Sequence, residues 1–170
     1  LQNPVLVADP ESNQYTFDIE NFGNATNYGA EARIKATLIK GLDIFGNYTW
    51  LNPVFDPNSN FETAGNIFPL APEDQITAGI SASAWVSEKI RIFVTHWYSY
   101  QSFFYFDSNN SRDLKQNKYE LLNANAGVEL KDPNVTLNFY GTNILDKDFI
   151  SSVGNDGSLF GLKTLVPGAP

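Results

Sequence analysis

The stretch Ala30-Glu31-Ala32-Arg33-Ile34-Lys35-Ala36-Thr37-Leu38 decides the fold class. Ala30, Ala32, Ile34, Ala36 and Leu38 share one parity; Glu31, Arg33, Lys35 and Thr37 share the other. Side chains along a strand point alternately to opposite faces, so the segment reads as a strand with one dry face and one wet face. The alanines suit a helix, but the apolar positions form no stripe at three-four spacing.

The same period recurs outward from this segment. After a tight turn at Lys40-Gly41, Leu42, Ile44, Gly46, Tyr48 and Trp50 alternate with Asp43, Phe45, Asn47, Thr49 and Leu51. Asn52-Pro53 is expected to end that strand, because proline removes a ladder donor, and residues 53–74 read as a long loop rich in Asn, Pro and Gly. Ile76, Ala78, Ile80, Ala82, Ala84 and Val86 then alternate with Gln75, Thr77, Gly79, Ser81, Ser83 and Trp85. A strand from Ile90 is expected to run as far as Phe106, another covers about 118–130, and a last one begins at Val135. Upstream, Tyr15, Phe17 and Ile19 alternate with Thr16, Asp18 and Glu20, a strand expected to continue through Asn21-Phe22-Gly23 into the Glu31 strand with a bend near Gly23 or Gly29. The tail from Asp146 to Pro170 reads mostly as loop, with Gly154-Asn155-Asp156-Gly157 as a turn. Connections near 40–41, 87–89 and 131–134 are short, whereas those near 53–74 and 107–117 are long. That alternation puts every short turn at one end of an antiparallel up-and-down meander.

The chain has 170 residues, 11 Lys and Arg against 19 Asp and Glu, and a formal net charge of −8. An acidic balance is a poor match to a phosphate backbone, so no nucleic-acid partner is expected. The absence of cysteine rules out a disulfide scaffold, a thiolate metal site and a cysteine nucleophile. No apolar run of 18 residues occurs, which argues against a transmembrane helix. A transmembrane strand needs only about ten residues and alternates in polarity.

The dry face bears on that choice. Ala30, Ala32, Ala36, Ala78, Ala82, Ala84, Ala124 and Ala126 fill little interior volume, which suits lipid better than the core of a sandwich. Several stretches reach 12 residues or more, against five or six in ordinary soluble strands. Aromatics gather near strand ends, at Tyr48/Trp50, Trp97/Tyr98/Tyr100 and Phe103/Phe104/Tyr105, as in the girdles of an outer-membrane barrel. A soluble antiparallel barrel or sandwich is the competing reading.

Six segments in order carry a family resemblance. Asn21-Phe22-Gly23-Asn24-Ala25-Thr26-Asn27-Tyr28-Gly29-Ala30-Glu31 resembles the "N-x-G-x-A … G-x-E" strand of TonB-dependent outer-membrane receptors, and Gly41 to Trp50 resembles the strand after it. Phe68-Pro69-Leu70-Ala71-Pro72 resembles the proline-marked return to the next strand, and Tyr119 to Gly127 the third-from-last strand. Asn143-Ile144-Leu145-Asp146-Lys147-Asp148-Phe149 is similar to the family's "NLFDKxY" segment, with Ile-Leu for Leu-Phe and Phe for Tyr; Pro167-Gly168-Ala169-Pro170 matches "PGxPR".

The resemblance implies an all-β fold: about seven strands of a 22-stranded transmembrane barrel, with residues 1–170 a partial C-terminal segment of the barrel domain. By this comparison the plug domain, the TonB-contacting box and the last strand lie outside the chain. Seven strands of such a wall do not close, so the segment is expected to be stable only with the missing strands supplied. The implied function is outer-membrane active transport of a scarce nutrient, foremost a ferric siderophore, driven through TonB in a Gram-negative bacterium. The implied partners are outer-membrane lipid, the rest of the barrel with its plug, the TonB complex and a small-molecule cargo. A passive porin-like barrel or a soluble β binding module are the alternatives.

No residue reads as catalytic, and no cofactor or metal site is expected. Glu31, Arg33, Lys35, Asn123 and Asn125 are expected to line the barrel interior, the ordinary place for paired charges on neighbouring strands. His96, the one histidine, falls on the dry parity beside Tyr98 and Tyr100, without the partners that a metal site or a hydrolytic triad needs. Asp107, Asn109, Asn110 and Asp113 offer oxygen ligands of a kind that suit a hard cation, but read as a solvated loop. Phe103, Phe104 and Tyr105 are the ligand-contact candidates, because external loops of the family help to capture cargo.

Overall fold

The computed structural model describes residues 2–8, 15–21, 25–157 and 162–168, with side chains over 25–153 and 164–168. Its elements are antiparallel strands: β1 (Gln2–Ala8), β2 (Tyr15–Asn21), β3 (Ala25–Ile39), β4 (Leu42–Phe55), β5 (Asp74–Trp85), β6 (Ile90–Gln101), β7 (Phe104–Tyr105), β8 (Lys115–Gln116), β9 (Tyr119–Lys131), β10 (Asn134–Gly141), β11 (Ile150–Gly157) and β12 (Leu162–Pro167). Six of them form one sheet in the order β10-β9-β6-β5-β4-β3; β1 pairs with β2, β7 with β8 and β11 with β12. Among the described residues no helix is long and apolar enough to cross a membrane, and strands of 12 to 15 residues take up most of the main sheet.

The register preserves the parity read from the sequence. Ala32 pairs with Tyr48, Tyr48 with Ile76, Ile76 with Tyr100 and Tyr100 with Glu120, so one parity lines up across five strands, apolar or aromatic on the first four. On the other face Thr37, Asp43, Ser81, Thr95, Asn125 and Tyr140 form one transverse row, one residue per strand. Hydrogen bonds run within that row: Thr37 Oγ1 donates to Asp43 Oδ1 at 2.5 Å, and Ser81 Oγ lies 2.8 Å from Thr95 Oγ1.

Short turns sit at one end of the sheet and long connections at the other. Gly41 makes the β3–β4 turn with a φ of 83°, a conformation that suits glycine, and a Cβ there would strike the Ser83 carbonyl oxygen. Among the described residues the buried apolar ones are Phe55, Phe104 and Leu114; none lies in the middle of the sheet, and all belong to the long-connection end. The packed core is therefore a cap on one rim, and the sheet itself has no apolar interior.

Several expectations need correction. β4 runs through Asn52-Pro53 to Phe55 and pairs Pro53 with Asn27. The N–H groups of Leu51 and Phe55 donate to Glu73 and Asn66, so residue 53 turns its nitrogen to that same side, where β5 pairing has already ended at Trp50–Asp74. No ladder bond is lost there. The strand from Ile90 stops at Gln101: Ser102 still bonds Asp74 through its N–H and its Oγ, but beyond it Phe104–Tyr105 pair with Lys115–Gln116. The tail is not mostly loop: β11 and β12 form a bulged hairpin, and Gly154 to Gly157 fall in β11 rather than in a turn. β2 and β3 are separate strands in separate sheets; of the two places expected for a bend, Gly23 lies outside the described residues and Gly29 sits inside β3 in unbroken register with Leu51. The strand count accordingly exceeds seven.

Candidate functional site

Polarity and exposure are inverted on this sheet. Along β6 the apolar Ile92 and Val94 are 44% and 45% exposed, while Arg91, Phe93, Thr95 and Trp97 between and beside them are more shielded. On β9 Ala126 is exposed while Asn123 is buried. A water-soluble sheet hides its apolar face, since exposing it costs about 25 cal/mol per Å². On these central strands the small and branched apolar side chains form the more open face and the hydrogen-bonding ones the shielded face, while on the edge strands β3 and β10 nearly every residue of either face is exposed.

The five polar-face residues singled out from the sequence keep that parity. Glu31, Arg33 and Lys35 are exposed on β3, at the edge of the main sheet, opposite Thr49, Asn47 and Phe45. Arg33 Nε donates to Asn47 Oδ1 at 2.8 Å. Asn123 accepts from the Asn143 backbone N–H at 3.0 Å and so ties β9 to the segment after β10. Asn125 Oδ1 is shielded and has no hydrogen-bond partner. Aromatic rings also lie on this face: a Cβ on Gly79 would strike the Phe45 ring, and one on Gly127 the Phe93 ring, so each glycine makes room for its neighbour. His96 stands on the open face between Ile80 and Ala124.

The long connections build the rim. Phe55 packs edge-on against Phe68 at 4.8 Å between centroids. The Asn66 side chain donates to the Ser108 carbonyl at 2.9 Å, and the Leu70 N–H to the Tyr105 carbonyl at 2.8 Å. The oxygen-rich 107–113 segment spends its oxygens on its own turn: Asp107 accepts from Ser111 N and Oγ at 3.0 and 2.6 Å, and Asn110 bonds Ile67. Among the described residues no group of three His, Asp or Glu gathers as for a metal ion.

The three aromatic candidates separate by strand parity. Phe103 and Tyr105 share a side, with centroids 6.1 Å apart, and the Lys115 ammonium lies 4.0 Å above the Phe103 ring and 5.7 Å from that of Tyr105. Phe104 points the other way, is 5% exposed and packs against Phe106 at 5.1 Å. It supports the rim from within. Lys115 was not singled out from the sequence; the signal was the polar stretch 107–114 between an aromatic run and a lysine, which closes the β7–β8 pairing. Beside Lys115 lies a cavity of about 430 Å³ bordered by Lys118, Asn143, Asp146, Lys147 and Asp148. A cation held over aromatic rings beside a charged hollow can bind a polar solute without covalent chemistry.

The family described as "TonB dependent receptor-like, beta-barrel" matches residues 3–144. Among curated proteins none matches the chain. Several solved structures share its fold, two receptors among them. The ferric yersiniabactin uptake receptor FyuA from Yersinia pestis superposes with a TM-score of 0.76 at 18% identity over 89% of this chain and 23% of its own. BauA, the ferric preacinetobactin receptor from Acinetobacter baumannii, gives 0.68 at 20% identity over 99% of this chain and 24% of its own. The chain thus spans about a quarter of the length of either receptor.

Proposed function

The chain belongs to the family of TonB dependent receptor-like beta-barrels, and on that premise we propose that it forms part of the wall and outer rim of a transporter taking up a scarce nutrient, foremost a ferric siderophore. Its location is the outer membrane, where receptors of this family sit, and it is not an enzyme. The reading assigns residues 1–170 to the C-terminal part of a 22-stranded barrel whose plug and TonB-contacting region lie elsewhere in the parent protein. Glu31, Arg33, Lys35, Asn123 and Asn125 then face the lumen, the open apolar face meets lipid, and Phe103 and Tyr105 with Lys115 meet cargo near the long-loop rim.

The observation that carries the reading is the inverted polarity of the central strands, clearest on β6, where the apolar residues Ile92 and Val94 are the exposed ones. In lipid that face costs nothing, and a closed barrel satisfies every edge. The cargo class draws its support from the two proteins of like fold, which are receptors for ferric yersiniabactin and ferric preacinetobactin. The test is uptake of radiolabelled ferric siderophores, across a panel, by cells that carry or lack the parent gene under iron limitation. Uptake that needs both the gene and TonB supports the proposal. Passive, TonB-independent flux of small solutes would favour a porin-like barrel and overturn it.

A further inference from the structure

At the short-turn end the sheet is stepped. The β3–β4 hairpin turns at Lys40-Gly41, opposite Ser83, where the Ser83 N–H donates to the Gly41 carbonyl at 2.7 Å. The neighbouring β5–β6 hairpin carries on past that point, through Ala84 and Trp85 to the turn before Ile90. Ala84 and Ile92, paired on the apolar face, therefore have no β4 residue beside them. The step opens a hollow of about 400 Å³ lined chiefly by Ile39, Leu42, Ala82, Ala84, Ile92 and Val94. Leu42, Ala82, Ala84, Ile92 and Val94 all belong to the apolar parity, and the alanines make the floor. Lys40 stands on the rim, exposed, with no hydrogen bond or ion pair among the described residues. It also borders an adjoining hollow lined by Trp85 and Arg91 of the other parity.

An apolar trough with one unpaired ammonium at its mouth has the amphipathic division of a membrane lipid: chain below, anionic phosphate above. We propose that the step between the two hairpins seats one phospholipid of the leaflet at the short-turn end, its acyl chain against Ala82, Ala84 and Ile92 and its phosphate on Lys40. This rests on the lipid-facing reading of the apolar face. Backbone groups at the step are paired across Gly41 and Ser83, so the lipid is asked only to fill space and to neutralise one charge.

The experiment uses the full receptor that contains this chain, extracted from outer membranes in mild detergent, with retained phospholipid quantified by mass spectrometry. Lys40→Gln is expected to lower retention about fivefold, the worth of one basic residue at an anionic membrane surface. Ala84→Trp, which fills the trough, is expected to abolish retention of that molecule. Ala32→Trp, on the same face beside Tyr48 and away from the step, is expected to change nothing. Equal retention in Lys40→Gln, Ala84→Trp and the unaltered receptor overturns the proposal, as does a receptor that retains no phospholipid. Spin labels at Val94→Cys and Leu137→Cys separate the two levels. Labels in contact with oxygen-rich lipid, with retention unchanged by the variants, overturn the lipid site alone. Labels in contact with water overturn both it and the lipid-facing reading.

Discussion

The side-chain amide of Asn110 closes both backbone hydrogen-bonding groups of Ile67, accepting from its N–H at 2.8 Å and donating to its carbonyl at 2.9 Å. One side chain thus does the work of a β-bridge between two long connections 43 positions apart in sequence. Asn110 has a φ of 54°, a region that asparagine tolerates better than most residues. On its other strand-like side Ile67 bridges Val54, so the loop is held from both directions.

Asn110→Asp keeps the shape and the acceptor but removes the donor, leaving the Ile67 carbonyl unpartnered in a half-buried site. The expected cost is about 1–3 kcal/mol, localised to the rim. Hydrogen exchange at the Leu70 and Phe68 amides, which bond Tyr105 and Pro53, should accelerate while the β5–β6 amides keep their protection. A uniform acceleration across the sheet would show that the bridge is not local.

A charge on each face of β5 tests which face meets lipid. Ala78→Arg on the apolar parity should cost about 2–4 kcal/mol of folding free energy in a bilayer, if the position is near mid-membrane. Thr77→Arg, one residue away on the polar parity, should cost less than half of that. The measurement is denaturant-driven unfolding of the full receptor in lipid vesicles, and equal costs would refute the assignment of faces.

Gly79→Ala should be destabilising even though the added group is one methyl. Its Cβ would meet the Phe45 ring and the His96 carbonyl oxygen. The ring can turn aside but the backbone carbonyl cannot, so the expected cost is about 1–3 kcal/mol. Phe45→Ala in the same protein should relieve only part of it. Thermal unfolding of the single and double variants reads the difference, and full rescue would assign the whole clash to the ring.

Arg91 and Glu129 make a 3.0 Å ion pair about one-third exposed, and Arg91 also donates to Ser83 Oγ at 3.1 Å; Lys89 and Asp132, at 3.2 Å, are mostly exposed. In double-mutant cycles the Arg91–Glu129 coupling should be about 1 kcal/mol or less, reduced at high salt, and that of Lys89–Asp132 smaller still. The reverse ranking would mean that solvent screening does not govern these pairs.

At the rim, Phe103→Ala and Lys115→Met should each weaken binding of ferric cargo about tenfold while leaving stability near that of the unaltered receptor. Phe104→Ala should do the opposite, costing about 3–5 kcal/mol of stability at the cap, because the ring it removes is buried. Isothermal titration of cargo beside thermal unfolding distinguishes the two classes.

The faces of most residues in the main sheet were legible in the sequence, because the strand period is two and does not depend on what the strand packs against. Ala32 and Arg33 are told apart by parity alone, and so are Ala78 and Thr77. The alternation of short and long connections gave the two ends for the same reason. Pro53 and the tail were misread because their structure depends on neighbours. Whether a proline costs a ladder bond turns on whether a strand lies on its nitrogen side. Residues 150–157 pair across bulges, which blur the alternation on which the reading depends.

The sequence by itself determined the sheet, its polarity and the order of its strands, all consequences of local geometry repeated along the chain. Only the tertiary structure decided the rim. Phe104 is buried while Phe103 is open, Lys115 sits over two rings twelve and ten residues before it, and Asn110 holds Ile67. Those contacts arise where chain segments distant in sequence meet in irregular loops, and no period runs through such loops to announce them.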